Sequence, residues 1–442
     1  MLEVKLRGRL GLGIVARMKG ASNIRYGVLG LVLTLTAVCY LDRVCISTAA
    51  TDIKADLDID DAHWGLVFSA FTLAYALFEV PSGWLADRFG PRLMLTRIVV
   101  WWSLMTAATG LAKGFVSLLL LRALFGLGEA GTFPGIARVY ARWLPERLHG
   151  RAFGLALMTA ALGGAATQPL VVKLLKVMQW RMAFVVFGCV GVVWAVAWYA
   201  WFRDDPHDHR GVNEEELKLI GTNPPIRHAG VPWGSIFLNR NLFAMCAMYF
   251  GVIYGWYFYI TWLPQYLQEA RRFDKDTMGA VASWPLIGIA IGVALGGVLN
   301  DALSRRFGLR VGRRVLAFVG LPLASLSVVG ATFTAEPRVS ALLLAMAAGL
   351  AAAGVTPAWV VCLDIGGKHA GVVSGAMNTF GNLGGALMSM VVGFHLQRTH
   401  SWTAGLMSVA AFYLFALVCW CFIDPTKPIP EAIYVHGEKT GV

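Results

Sequence analysis

The chain has 442 residues, 57% hydrophobic and 14% charged, with a mean hydropathy of +0.61. A soluble domain carries about 25% charged residues, so an ordinary soluble fold is excluded and a polytopic membrane protein is expected. The net charge of +12 would suggest nucleic acid in a soluble chain, but its placement answers to a membrane, and no nucleic-acid partner is expected.

A bilayer crossing takes about 20 apolar residues. Twelve such windows occur, at 26–48, 63–85, 93–112, 116–140, 151–174, 182–202, 241–267, 277–299, 313–333, 339–363, 370–396 and 402–423. They are too long for the roughly ten-residue alternating strands of a barrel, and helices satisfy their own backbone in lipid. The expected fold is all-α, with twelve transmembrane helices. Residues 1–25 form a basic segment with Arg7, Arg9, Arg17, Lys19 and Arg25. The first window is longer than a signal-peptide core and reads as an uncleaved span.

The loop after it, TDIKADLDIDDAH, has five aspartates and one lysine, and is expected to be solvated surface. Basic clusters follow the second window (Arg88, Arg92, Arg97), the fourth (Arg138, Arg142, Arg147, Arg151) and the eighth (Arg305, Arg306, Arg310, Arg313, Arg314). The positive-inside rule then puts both termini in the cytoplasm. The polar segment 203–240 separates a six-helix half, 26–202, from a second, 241–423, and 424–442 form a cytoplasmic tail. In that segment Asn213 and Glu216 have capping-box spacing. The seven cysteines lie in apolar runs without a CxxC pair, so no disulfide, metal site or bound cofactor is expected.

The halves repeat a string. GWLADRFGPR, Gly83 to Arg92, follows the second window, and GVLNDALSRRFGLR, Gly297 to Arg310, follows the eighth. Such internal symmetry marks transporters built from related halves. Gly83 suits a close helix approach, and Asp87 suits a neighbouring helix N-terminus. Gly83, Asp87, Arg88, Gly90 and Arg92, with Gly297 and Asp301 in the second copy, are expected to form a cytoplasmic gate.

GWLADRFGPR, the twelve windows and the central loop resemble the major facilitator superfamily. YLDR in the first window, SAFTLAYALFEVPSGW in the second, RALFGLGEAGTFPG in the fourth, TWLPQYL in the seventh and SGAMNTFGNLGG in the eleventh resemble its anion:cation symporter branch. That branch includes bacterial hexuronate, glucarate, galactonate and phthalate permeases, sialin and the vesicular glutamate transporters. The resemblance runs from about residue 25 to 423 and implies two pseudo-symmetric six-helix bundles in the inner membrane.

Four charges deep inside the windows matter most: Asp42 and Arg43 in the first, Arg122 and Glu129 in the fourth. Each costs about 2.5–3.5 kcal/mol at mid-bilayer, and the four sum to zero. Arg122 and Glu129 share a helix face, about 10.5 Å apart along the axis. Gly126 and Gly128 between them leave room for a ligand or for close packing. Asp42 and Arg43 diverge by about 100° around their helix; Arg43 is expected in a cavity and Asp42 toward the fourth span. An arginine takes a carboxylate by charge-assisted contact. An acid in low dielectric takes up a proton more readily. The resemblance implies that Asp42 and Glu129 are the proton-coupling acids, with Arg43 and Arg122 serving the anion.

Further expected substrate contacts are Tyr75, Asn378 (with Asn382 one turn on), Thr356 and Trp359 beside a kink at Pro357, and Tyr254 and Tyr257 in an aromatic cluster. Glu79 stands where relatives often have glutamine and is expected to be hydrated. Vesicular glutamate carriers have an arginine where this chain has Tyr254, and a histidine where it has Phe68, which disfavours a dicarboxylic amino acid. The resulting expectation is proton-coupled uptake of an organic anion, a sugar acid before an aromatic or other carboxylic acid, by a monomer in lipid. An efflux pump or a non-transporting receptor is the lesser alternative, and no HExxH or GxSxG string points to an enzyme.

Overall fold

The computed structural model describes residues 20–221 and 239–427, and among them it contains helices and no strand. The first half comprises α1 (Ile24–Thr48), α2 (Ala50–Leu57), α3 (Asp61–Phe89), α4 (Pro91–Thr109), α5 (Phe115–Glu129), α6 (Thr132–Trp143), α7 (Glu146–Leu175) and α8 (Trp180–Trp201). A short α9 (Glu214–Ile220) lies in the linker. The second half comprises α10 (Arg240–Thr261), α11 (Leu263–Glu269), α12 (Lys275–Val281), α13 (Ser283–Phe333, broken at Gly308), α14 (Pro337–Gly366), α15 (Ala370–Thr399) and α16 (Thr403–Trp420). Local chemistry places several starts: Asp60 caps α3 through the His63 amide, and Pro91 and Pro337 open α4 and α14 where a missing N–H costs nothing.

Each expected window is occupied by helix, three of them by the pairs α5–α6, α10–α11 and α12–α13. Among the described residues, eight helical stretches are long and apolar enough to cross a membrane, and one of these, Lys275–Phe333, contains two windows. Within the first half α1 packs on α7, α3 on α5 and α4 on α8; within the second α10 packs on α15, and α13 on α14 and α16. The halves meet where α3 lies on α15 and α7 on α13. At the α3–α15 crossing a Cβ on Gly65 would sit 2.5 Å from the Ser389 carbonyl oxygen, and Ser69 Oγ donates to the Ala386 carbonyl at 2.8 Å.

The acidic loop differs from expectation. Its carboxylates are used as partners: Asp52 pairs with Lys275 at 2.6 Å and Asp61 accepts from Gln265 Nε2 at 2.8 Å, both across the halves, while Asp56 takes Arg181 at 2.8 Å. Thr51 to Gln268 (2.7 Å) and Lys176 to Asp276 (2.6 Å) add to this seal. The halves press together at this end, so charges that a one-dimensional reading leaves in water find partners from the other half.

The repeated string folds twice into the same turn. Gly90 has φ 78°, ψ 152° and Gly308 has φ 79°, ψ 164°, a region that favours glycine. At the first turn Asp204 Oδ1 accepts the Arg92 amide at 2.8 Å, and the Arg92 guanidinium donates to the Tyr199 carbonyl at 2.7 and 3.0 Å. At the second, Arg310 stands 3.8 Å from Asp424, and Arg313 donates to Asp364 at 3.0 Å with Asp301 4.0 Å away. Arg88 lies over the Phe89 ring, and Gly297 faces open space. The side chains of Gly83 and Asp87 lie outside the described residues.

The capping box is half formed. Asn213 Oδ1 accepts the Glu216 amide at 3.0 Å, but the Glu216 carboxylate turns to the start of α1. There it takes the Arg25 amide at 3.0 Å, the Ile24 amide at 3.2 Å and the Arg25 guanidinium at 2.8 Å. Arg25, the last residue of the basic N-terminal segment, is buried in this pair.

Candidate functional site

Arg43 is the centre of the site. Its Nε donates to Glu129 Oε1 at 2.6 Å, joining α1 to the end of α5, and both side chains are almost wholly shielded from solvent. The guanidinium carbon lies 4.8 Å from the Tyr75 ring centroid, 5.2 Å from Phe71 and 5.5 Å from Tyr40. These ring faces stabilise the cation. Among the described residues Arg43 Nη2 is buried without a hydrogen-bond partner. The guanidinium thus commits Nε to an internal carboxylate and keeps unpaired N–H at Nη2.

Glu129 stands at a break. Helix α5 ends with it, Ala130 turns out of helical geometry (φ −55°, ψ 136°), and Gly131 has φ 93° before α6 begins. A Cβ on Gly131 would lie 2.5 Å from Ser82 Cβ, so both conformation and packing require glycine here. Interrupted helices are where transporters place their sites. Cys39, one turn before Arg43, also donates to Glu129 Oε1, at 2.7 Å.

The other two charges point elsewhere. Arg122 Nη2 donates to Thr109 Oγ1 on α4 at 2.8 Å, and its guanidinium stacks on Phe125. Asp42 is fully buried with Arg122, Thr106 and Trp102 as neighbours, and its oxygens have no hydrogen-bond partner within 3.5 Å among the described residues. The four ionic groups therefore divide into a direct pair joining α1 to α5, Arg43–Glu129, and a set against α4, Asp42 and Arg122. The intervening glycines serve packing: Gly126 abuts the Phe71 backbone and Gly128 the Trp101 indole.

The second half contributes neutral groups. Tyr257 OH donates to Asn382 Oδ1 at 2.9 Å, and Asn382 Nδ2 donates to the Asn378 carbonyl at 3.0 Å. Asn378 Nδ2 donates to Glu79 Oε1 on α3 at 2.5 Å, across the halves. Glu79, expected to be hydrated, is only 4% exposed because α15 closes over it. Trp359 packs between Tyr249 of its own half and Phe153 of the other, with centroids 5.8 and 5.7 Å away. Thr356 Oγ1 bonds the Ala352 carbonyl of α14, whose helical assignment continues through Pro357. Tyr254 faces α16, where it bonds Ser408 Oγ at 2.9 Å and stacks on Phe412.

The structure thus brings Arg43, Glu129 and Tyr75 together, and Asn378 and Tyr257 into one polar chain. It does not bring Arg122 or Tyr254 into direct contact with either group. Sequence reasoning missed Cys39, Tyr40, Phe71 and Phe153. The first two lie within one helical turn of Arg43, and Phe71 lies one turn from Tyr75, so helical spacing offered a signal for them. Phe153 meets Trp359 only through the packing of the halves.

Outside the membrane windows, burial pushes the Asp204 carboxyl above its usual value, against the pull of the Arg92 amide. The counterpart Asp424 is held below its usual value, chiefly by the Thr426 hydroxyl.

Residues 32–389 match the family model of the Major Facilitator Superfamily. The chain is 35% identical over 428 residues to the probable sulfoacetate transporter SauU of Cupriavidus necator, covering 95% of this chain and 99% of that one. It is 31% identical to the probable galactarate/D-glucarate transporter GarP of Escherichia coli K12 (93% and 97% covered) and 28% identical to the hexuronate transporter of Bacillus subtilis 168 (85% and 89%). Among solved structures, a bacterial homologue of the human lysosomal transporter Spinster superposes with a TM-score of 0.71 at 20% identity, covering 91% of this chain and 97% of that one.

Proposed function

Because this chain belongs to the Major Facilitator Superfamily, and so is a multi-pass membrane transporter rather than an enzyme, we propose that it takes up an organic anion together with protons. The substrate class is a sugar acid such as a hexuronate, aldonate or glucarate. It works as a monomer in the inner membrane, with twelve spans and both termini in the cytoplasm, by alternating access between the halves. The observation that carries this reading is the Arg43–Glu129 pair, 2.6 Å long, with Arg43 Nη2 left unpaired beside it.

The substrate carboxylate docks on the free edge of Arg43, with Tyr75 lining the approach. A proton arriving at Glu129 removes its negative charge, releases Nε of Arg43, and lets the whole guanidinium face the guest. Anion and proton therefore favour each other, and the linkage is reciprocal. Asp42 is the second proton-coupling acid, acting behind the cavity beside Arg122. Asn378, Tyr257, Trp359 and Thr356 shape the wall from the second half. The two glycine turns and their arginines hold the cytoplasmic ends of the halves as they rock, and the Asp52–Lys275 and Asp61–Gln265 contacts close the opposite end in the form described. The names of the sugar-acid relatives support this substrate class. The 35% identity to a sulfoacetate transporter favours a second reading, a small sulfonated acid.

The test is counterflow of labelled glucuronate, galactonate, glucarate, sulfoacetate and phthalate into proteoliposomes, with and without an imposed pH gradient. Wild-type protein is expected to exchange at least one acid and to concentrate it when the outside is acidic. Glu129→Gln is expected to keep exchange and lose accumulation. No exchange of any acid by the wild type sinks the reading, and accumulation by the variant removes Glu129 from the coupling.

A further inference from the structure

Glu79 is a buried acid that the transport cycle above leaves unused. It lies on α3 one turn beyond Tyr75, and Tyr75 lies against Arg43. Its Oε1 accepts from Asn378 Nδ2 at 2.5 Å across the halves, and among the described residues its Oε2 is buried without any partner. A buried acceptor left open costs more than a hydrogen bond returns, so this oxygen calls for a donor from outside the protein. No arginine or lysine forms an ion pair with it among the described residues. What sits one turn from the Arg43 clamp is therefore a buried carboxyl group with one oxygen fixed by an amide and the other open.

We infer that Glu79 is a specificity-determining residue: it accepts a hydroxyl of the substrate at the end remote from Arg43 and turns away a second anionic group there. The inference rests on the organic-anion reading and narrows it to monoanionic polyhydroxy acids, aldonates and hexuronates. Aldarates and sulfoacetate, which carry a second negative group, are disfavoured. The geometry is economical: Arg43 is met by the one carboxylate, and a hydroxyl further along the carbon chain donates to Glu79 Oε2. A second carboxylate in that place has no proton to donate, and against the ionised form of Glu79 it meets a like charge in low dielectric.

Matched acids test it by counterflow competition in proteoliposomes: galactonate against galactarate, glucuronate against glucarate, with sulfoacetate as a fifth competitor. Wild-type protein is expected to prefer each monoacid over its diacid by at least about tenfold, the scale of a like-charge juxtaposition. Glu79→Gln keeps its one oxygen for Asn378, removes any charge and puts an amide NH2 where Oε2 stood, from which a substrate hydroxyl or a carboxylate can accept. The variant should bind the monoacids within about threefold of wild type and lose most of the discrimination against diacids. An unchanged ratio in folded variant protein overturns the inference and leaves Glu79 as a tie between the halves. Equal use of monoacid and diacid by the wild type overturns it without any variant. If the wild type exchanges none of the five acids, the organic-anion reading has failed and this inference falls with it, an outcome visible in the wild type alone.

Discussion

The two halves share a backbone plan and divide the chemistry. Their helices pair in the same pattern, and Gly90 and Gly308 adopt the same turn within a degree in φ. Yet Asp42, Arg43, Glu79, Arg122 and Glu129 all belong to the first half, while the second offers Tyr257, Asn378, Asn382, Thr356 and Trp359, none of them charged. The halves share a scaffold because packing and the glycine turn depend on backbone geometry. On the proposed mechanism one set of titratable charges suffices, and a second buried set would add a desolvation cost of several kcal/mol per ion. On that proposal the first half is the switch and the second the wall that shapes the guest.

This division is open to direct attack. Arg43→Ala should remove binding of every carboxylate, a loss of roughly a hundredfold or more, since truncating one partner of a buried charge pair costs about 2–5 kcal/mol. Asn378→Ala should cost only about 1 kcal/mol and reorder preference among acids. Thermal-shift titration with the transported acid separates the two, and equal losses would dissolve the contrast. The span-4 break has no equivalent in α14, which is continuous through Pro357. Gly131→Ala should therefore destabilise the fold by about 1–3 kcal/mol through positive φ and the Ser82 contact, read as a lower unfolding midpoint in detergent.

The smallest expected effect concerns Asp204 and Asp424, which occupy equivalent places after the sixth and last windows. Burial raises Asp204, so the folded chain holds its proton more tightly than the unfolded chain does. Its contribution is full below the ordinary carboxylate value and is lost as pH rises through the folded value. Asp424 is lowered, so its contribution is present above the ordinary value and is lost as pH falls. Asp204→Asn should flatten the decline of stability above roughly pH 4, and Asp424→Asn the decline below it. Midpoints measured across that range check both signs.

Much of the site was readable before folding. Arg43, Glu129 and Tyr75 were conspicuous in the first, fourth and second windows, because a charge in an apolar run must find a partner or a cavity; that Arg43 and Glu129 pair with each other was decided only by the packing of α1 on the end of α5. Arg122 and Asp42 were equally conspicuous, but which face of a helix turns to α4 depends on how α4 packs, and no periodicity states that. Glu79 was misread for the same reason: its hydration was inferred from closeness to a helix end, and α15 of the other half removed it. Glu216 fits a local capping pattern, and only the docking of α9 on α1 gave its carboxylate a better set of donors.

Hydropathy, charge bias and the twice-written glycine string were sufficient for a helical membrane protein of two related halves, since lipid leaves the backbone few choices and like sequences make like turns. The choice of partner for each buried charge, the interruption at Ala130–Gly131 and the seal of aspartates between the halves were decided in three dimensions. Those features depend on the rotation of one helix against another, set by side chains far apart in the chain.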